Sequence, residues 1–351
     1  MKIFVIGDPH IDEINLSYIN PILDEILQKI RDIKPDLCVS LGDTLHRKSR
    51  VYTPCQYIAI NFYKAISQIT RLIVLIGNHD MVKETDFFNP IHSLCSLDNN
   101  KSIRVIYKAE VETFATGETF AYVPFVPKGK FNEALLSINI QTTPTLIFAH
   151  QEFRGCVMDT GTTSNDGDHW PNTAPIIITG HIHKHQIINN IIYVGTFMQH
   201  SYGEDTDKAV MLIETMQNSI RYERIKLLTI PIRLTMNCNM QTIEQILSTL
   251  PLNNIKKNSH ESRNGKTLVR VILTLDATEL KTLNTNSNYT TLYKTVDQID
   301  LNVIGTKIGI ASNILKVHTV NEIITLEKLV CSLLKEDAYS LEIFNTEIIC
   351  K

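Results

Sequence analysis

The sequence predicts an α/β fold with buried, parallel strands, followed by a smaller α+β region. Five apolar, β-rich runs carry the first part of that reading: Lys2-Ile-Phe-Val-Ile6, Asp36-Leu-Cys-Val-Ser-Leu41, Arg71-Leu-Ile-Val-Leu-Ile76, Thr145-Leu-Ile-Phe-Ala149 and Pro175-Ile-Ile-Ile-Thr179. Such near-continuous apolar runs belong to strands covered on both faces. Each run leads into a short segment of chemically versatile residues: Gly7-Asp-Pro-His10, Gly42-Asp43, Gly77-Asn-His-Asp80, His150 and Gly180-His-Ile-His183. Open α/β sheets place their sites at the carboxyl ends of strands.

The elements follow in chain order. Between Ser17 and Pro35 the residues Ile19, Ile22, Leu23, Ile26, Leu27, Ile30 and Ile33 recur at helical spacing, which predicts one apolar helical face that Pro35 ends. Strand, site loop, helix, strand, site loop is the order of a βαβ unit. A second helix is expected over Pro54–Gln68, where Ile58, Ile60, Phe62, Tyr63 and Ile66 cover more than one face. Burial between sheet and neighbouring helices explains that breadth, and so does a self-association surface. From Ile103 to Val126 short alternating strands suggest an antiparallel part of a sandwich, and further strands are expected at Ile187–Val194, Lys208–Glu214 and Ile220–Ile225. The segment Gln151–Pro175 lacks periodicity, and a loop of that length in a compact domain is usually functional.

Past about residue 230 the character changes. Arg233–Met236 and Leu268–Asp276 read as strands, Ala277–Leu283 and Tyr289–Val296 as helices, and Asn302–Ile304 with Leu315–Val317 as weaker strands. The polar stretch Asn253–Gly265 interrupts them. The tail has Ile323, Leu326, Leu329, Val330 and Leu333 at helical spacing, and so apolar a segment should dock on something. The expected division is therefore 1–228, 229–319 and 320–351.

Composition sets bounds. With 351 residues, 43% of them apolar and 20% charged, the chain is of ordinary globular type rather than disordered or fibrous. No apolar run approaches the roughly 20 residues of a spanning helix, so no membrane role is expected. The amino-terminal apolar run is broken by Asp8 and reads as a first strand, not a secretory signal. The 7 cysteines have no paired spacing, which argues against a disulfide framework and for an intracellular, reducing compartment. A net charge of −3 excludes a protein coated in basic residues; a nucleic-acid substrate would need a local positive surface, metal ions or a partner.

In order, the strand-end segments yield Asp8, His10, Asp43, Asn78, His150, His181 and His183, a ligand set for two adjacent metal ions. Two divalent ions about 3.5–4 Å apart can activate a water and neutralise charge in phosphodiester hydrolysis. Cations that close need an anionic bridge, for which Asp43 is the candidate. Asp8, His10 and His183 would complete one ion; Asn78, His150 and His181 the other. Imidazole and carboxylate without thiolate suit Mn, Fe or Zn rather than Ca. Taken singly, Asp8 or Asp43 is a loop or cap carboxylate, Asn78 a turn residue and His150 a histidine without any glycine signature. Yet of the chain's 12 histidines, His10, His46, His79, His150, His181 and His183 all fall just after expected strands. His79 stands beside a ligand and can protonate a leaving oxygen, or merely support the site; Asp80 is expected to orient a neighbour.

These segments resemble the calcineurin-like metallophosphoesterase superfamily, and within it the nuclease subunit of the double-strand-break repair complex, a group that includes SbcD, the meiotic-recombination nuclease and the T-even phage recombination endonuclease subunit. Three details carry the finer resemblance: His46 three residues after Asp43 in Gly42-Asp-Thr-Leu-His-Arg47; Tyr193-Val-Gly-Thr196 followed by Tyr202-Gly-Glu204; and Phe148-Ala-His-Gln-Glu152. The motifs span about residues 1–215, and Pro9 departs from the commoner Thr, Trp or Leu. The resemblance implies a four-layer α/β/β/α sandwich with a small α+β capping domain that grips DNA and a C-terminal helical tail. It further implies manganese as the active metal, a nuclease homodimer, and an ABC-type coiled-coil ATPase docked after Val320. By position His79 would be the phosphate-contacting acid, with His46 beside it supporting exonuclease action. A protein phosphatase or small phosphodiesterase of the same superfamily, and a non-catalytic scaffold for the ATPase, stand as alternatives. Phosphatases of that kind carry a second Asp where this chain has His46, and Glu where it has Asp80.

Overall fold

The computed structural model describes residues 1–304 and 314–317, apart from 49, 98–100, 140, 217–218 and 251–266. The expected partner-binding segment 320–351 and the polar stretch Asn253–Gly265 lie outside the described residues. The chain divides into two compact units, the first Met1–Pro231 and the second beginning at Ile232.

In the first unit the elements are β1 (Lys2–Ile6), α1 (Ile19–Ile33), β2 (Leu37–Ser40), α2 (Thr53–Ser67), β3 (Leu72–Leu75), β4 (Ile103–Ile106), β5 (Glu110–Thr113), β6 (Thr119–Val123), α3 (Phe131–Leu136), β7 (Leu146–His150), β8 (Ile177–Gly180), β9 (Gln186–Ile188), β10 (Ile191–Tyr193), β11 (Val210–Met216) and β12 (Ser219–Ile225). They build two six-stranded sheets, ordered β12-β11-β1-β2-β3-β4 and β5-β6-β7-β8-β10-β9. In the first, β1 to β4 run parallel and β11–β12 is an antiparallel hairpin on the edge of β1. In the second, β6, β7, β8 and β10 run parallel, with β5 and β9 antiparallel at the two edges.

Alternation along the strands explains the layers. Ile3, Val5, Val39, Leu41, Ile73 and Leu75 of the first sheet share one buried core with Phe120, Tyr122, Leu146, Phe148 and Ile178 of the second. Their neighbours Phe4, Ile6, Cys38 and Val74 point the other way and are still buried, as strands covered on both faces require. The second sheet's outer face packs Ala121, Val123, Ile147 and Tyr193 against Phe131 and Ala134 of α3 and Phe153 of the long loop. Each buried side chain of Leu or Phe size contributes about 1.5–3 kcal/mol. The α1 face of Ile19, Ile22, Leu23, Ile26, Leu27 and Ile30 is buried, and the helix stops at Lys34 in the left-handed region (φ 51°), one residue before Pro35. On α2, Phe62, Tyr63 and Ile66 are buried while Tyr57 stays 68% exposed.

Two expectations change. β4 joins the first sheet in parallel, so only the β5–β6 hairpin of the Ile103–Val126 stretch is antiparallel. The Ile187–Val194 strand is instead a β9–β10 hairpin turning at Asn189, whose φ is 51°.

The second unit holds β13 (Ile232–Asn239), α4 (Ile243–Thr249), β14 (Thr267–Asp276), α5 (Ala277–Thr282), α6 (Ser287–Thr295), β15 (Gln298–Ile304) and β16 (Ile314–Val317). Its four-stranded sheet is parallel across β13, β14 and β15 and antiparallel at β16. Val269, Val271, Leu273 and Leu275 alternate into a core with Ile243 and Leu292. α4 has no counterpart among the sequence-based elements. No described helix is long and apolar enough to cross a membrane.

Candidate metal centre

All five chemically loaded segments leave the carboxyl ends of parallel strands in the facing sheets: β1, β2 and β3 on one side, β7 and β8 on the other. The loops after β1 and β2 are laced together, with His10 N donating to Asp43 O (2.9 Å) and Ile11 N to Thr44 O (2.9 Å). Tyr63 on α2 braces the second loop through Ser40 Oγ and Thr44 Oγ1, both at 2.8 Å. Glycine is required where these loops converge. A Cβ on Gly42, whose φ is +109°, would stand 2.7 Å from His150 Nδ1 and 2.8 Å from Gly77 N. A Cβ on Gly77 would run into Asp43. Three non-glycine site residues also sit at positive φ: His10 (42°), Asp43 (50°) and His181 (77°). Backbone held in that sparsely populated region clusters where a site demands it.

The side chains fall into two groups. Ligand-type atoms of Asp8, His10 and His183 lie within 4.8 Å of one another, as do those of Asp43, His150 and His181. In the first, His10 Nε2 and His183 Nε2 face each other at 3.0 Å. In the second, Asn78 Oδ1 lies 3.1 Å from His150 Nε2 and 3.0 Å from His181 Nδ1. Asp43 Oδ2 stands between the groups, 3.5 Å from His10 Nε2 and 3.4 Å from His150 Nε2. Each carboxylate braces with one oxygen and presents the other. Asp43 Oδ1 accepts from His79 N (2.8 Å), and Asp8 Oδ2 accepts from His181 N (2.8 Å). Asp8 Oδ1 is buried with no hydrogen-bond partner among the described residues. A buried carboxylate oxygen left bare is costly, and a cation in the middle of these nitrogens and oxygens would answer it. His150 Nδ1 donates to Leu41 O (2.7 Å), which turns Nε2 inward, the arrangement typical of a metal-binding imidazole. The residues present therefore fit a pair of divalent ions.

Electrostatics agree. Burial lifts Asp8 to about 7, against the pull of His150. Burial acts on Asp43 too, but His150 and His10 hold it well below the usual carboxylate range. Although burial opposes it, Asp43 and Asp8 carry His150 to about 9. Burial and the neighbouring His150 push His181 down to about 3.

His79 lies beside this pair, Nε2 4.0 Å from Asp43 Oδ2 and Nδ1 against the His46 carbonyl. The His46 ring is exposed, 5.2 Å from His10 and 5.6 Å from His79 between centroids. Asp80 accepts from Thr44 N (3.1 Å) and Gly77 N (3.1 Å), so it staples the Asp43 and Asn78 loops together. All nine residues singled out from sequence, Asp8, His10, Asp43, His46, Asn78, His79, His150, His181 and His183, meet at one end of the sandwich. Four neighbours had no assigned role. His200 has its ring 5.0 Å from His10 and its Nε2 buried without a hydrogen-bond partner among the described residues. Asp159 and Glu204 flank His183, and buried Lys208 reaches Glu204 Oε2 at 2.9 Å. The available signals were the length of the loop carrying Asp159 and the Tyr202-Gly-Glu204 segment.

The family model for calcineurin-like phosphoesterases matches residues 1–185, a stretch containing every residue of the two groups. The chain is 36% identical over 216 residues to "Putative phosphoesterase 244L" of Invertebrate iridescent virus 6, covering 60% of this chain and 75% of that protein. It is 31% identical over 231 residues to "Putative phosphoesterase 078R" of Invertebrate iridescent virus 3, covering 65% of this chain and 66% of that one. Among solved structures, a dimetal phosphatase from Danio rerio aligns with a TM-score of 0.43 at 11% identity, over 64% of this chain and 95% of its own. On the family match, which spans more than half of its length, the chain belongs to the calcineurin-like phosphoesterases.

Proposed function

We propose that the chain is a DNA nuclease that hydrolyses phosphodiester bonds with two divalent ions, manganese in the active form, as the nuclease subunit of a double-strand-break repair complex. The observation that carries the reading is Asp43 Oδ2, poised between two groups of nitrogen and oxygen donors. Asp8, His10 and His183 would hold one ion, Asn78, His150 and His181 the other, and Asp43 both. When bound, the pair supplies Lewis-acid charge and an activated water for displacement at phosphorus. The donor set, imidazole, carboxylate and amide without thiolate, suits manganese, iron or zinc.

The chain's own residues do the rest. His79 turns Nδ1 to the His46 carbonyl and leaves Nε2 toward the site, so its imidazolium can hand a proton to the leaving oxygen. The contact from its backbone N to Asp43 Oδ1 fixes that position. His46 in place of a phosphatase-type Asp, and Asp80 in place of Glu, support DNA over a phosphoprotein. A cleft of about 410 Å³ beside His46 is lined by Arg47, Lys48 and Arg50 together with Asp12 and Ile14; Arg47 pairs with Asp12 and Lys48 with Glu84, so a flanking phosphate would compete there with carboxylates. In the same proposal exposed Tyr57 on α2 belongs to a homodimer contact, and residues 320–351 dock an ABC-type coiled-coil ATPase.

Assays with Mn2+ on single-stranded circles, linear duplex and p-nitrophenyl phosphate test the reading. Cleavage of DNA is expected. Hydrolysis of p-nitrophenyl phosphate alone would indicate a phosphatase or small phosphodiesterase, and metal binding without turnover on any substrate a scaffold.

A further inference from the structure

The long loop between β7 and β8 is an ordered hairpin rather than an open connection. Val157 and Thr163 form an antiparallel bridge. Met158 N donates to Thr162 O and Gly161 N to Met158 O, both at 2.8 Å. Gln186 of β9 clamps the hairpin on both backbone groups of Val157, at 2.8 and 2.9 Å. Asp159 therefore sits at the tip of an anchored turn, where its Oδ2 lies 3.1 Å from Nδ1 of His183. Glu204 Oε1 approaches the same nitrogen to 3.7 Å. Glu204 is itself fixed, accepting from Ser201 N (3.0 Å), His200 N (3.2 Å) and Lys208 Nζ (2.9 Å). Nδ1 of His183 is buried from solvent and makes no aligned hydrogen bond among the described residues, so the two carboxylates, at 3.1 and 3.7 Å, act on it as nearby negative charges.

We infer that Asp159, backed by Glu204, is a positioning residue of the metal centre: the negative charge of the two carboxylates at the Nδ1 edge of His183 favours the tautomer protonated there and so leaves its Nε2 lone pair for the space shared with His10. The inference rests on the two-ion reading above. It makes the two ion positions unequal. His183 Nδ1 faces two carboxylates outside the ligand set, whereas His150 Nδ1 donates to the neutral carbonyl of Leu41, with the candidate ligand Asp8 farther off at 3.9 Å. Partners of this kind typically change metal affinity 10–100-fold when removed, so the loop tip should tune one ion and leave the other alone.

The test uses metal-stripped full-length protein titrated with Mn2+ by calorimetry, comparing wild type, Asp159→Asn and Asp159→Glu. Asp159→Asn should weaken one of two binding events by about 10–100-fold and leave the second within about twofold. Its kcat should recover at saturating Mn2+, and Asp159→Glu should restore most of the affinity. The retained second event shows that the variant is folded. Unchanged affinities overturn the inference, and so does equal weakening of both events. A third ion in wild type that Asp159→Asn loses would make Asp159 a ligand and overturn it as well. Wild type that binds no pair of ions sinks the underlying two-ion reading, and this inference with it.

Discussion

Replacing Asp43 by Asn probes the bridge directly. Asp43 Oδ2 is 3.5 Å from His10 Nε2 and 3.4 Å from His150 Nε2, while Oδ1 accepts from His79 N at 2.8 Å. Asparagine keeps an oxygen for the His79 amide, so the loop geometry survives and the metal-free variant should melt within a few degrees of wild type. What disappears is the shared anion. Two unit charges about 4 Å apart in an effective dielectric of about 20 attract by about 4 kcal/mol, about a thousandfold in a binding constant. Each divalent ion should feel at least that loss, and the Asn amino group has no lone pair to offer in its place. Equilibrium dialysis against micromolar Mn2+ followed by elemental analysis measures the outcome. Wild type should retain two ions per chain and the variant fewer than one. Two ions held at wild-type affinity by Asp43→Asn would refute the bridging argument.

Other substitutions separate binding from chemistry. His79→Ala should lower turnover by about 10²–10⁴ while both ions stay bound, and undiminished hydrolysis would remove His79 from the acid role. Metal affinity should rise with pH. His150 and His183, carried to about 9 and about 10 in the metal-free chain, are protonated at neutrality, whereas a ligand imidazole must be neutral, so binding releases protons. Calorimetry in buffers of different ionisation enthalpy reads that release, and an affinity flat between about pH 6 and pH 8 would contradict it. Glu118 offers a stability check away from the site: burial would raise it, but hydrogen bonds from Thr116 and Thr215 hold it at about 2. Its contribution is present above the ordinary glutamate value and is lost as pH falls toward about 2, so Glu118→Gln should flatten the acid limb of the melting curve. Removing residues 320–351 should spare Mn2+-dependent nicking and abolish co-purification with an ABC-type ATPase; persistent co-purification places the docking surface elsewhere.

Much of the centre was legible because close approach leaves a trace in the sequence. Gly42 and Gly77 are glycine since the loops of Asp43, Asn78 and His150 leave no space for a Cβ, and those glycines flag the candidate ligands beside them. His150 carries no such flag at its own position. Its place at the end of β7 identified it, while the Leu41 carbonyl that orients it is 109 residues away in sequence. β4 was assigned to the wrong part of the sandwich because alternation reports burial, not which sheet edge a strand joins. α4 escaped because its seven residues bury only Ile243, too little for a helical period to register. Asp159 was signalled only by the length of its loop, since its partner His183 is brought to it by the fold of a turn. On α2, burial accounts for Phe62, Tyr63 and Ile66, while Ile58 and Ile60 are half-buried and Tyr57 is exposed.

The central claim is that two cations share Asp43 at the carboxyl ends of the facing sheets. Anomalous diffraction from crystals soaked in Mn2+ tests it most directly. The account predicts two peaks about 3.5–4 Å apart on either side of Asp43 Oδ2, one against Asp8, His10 and His183 and the other against Asn78, His150 and His181. A single peak, or density remote from Asp43, would contradict it.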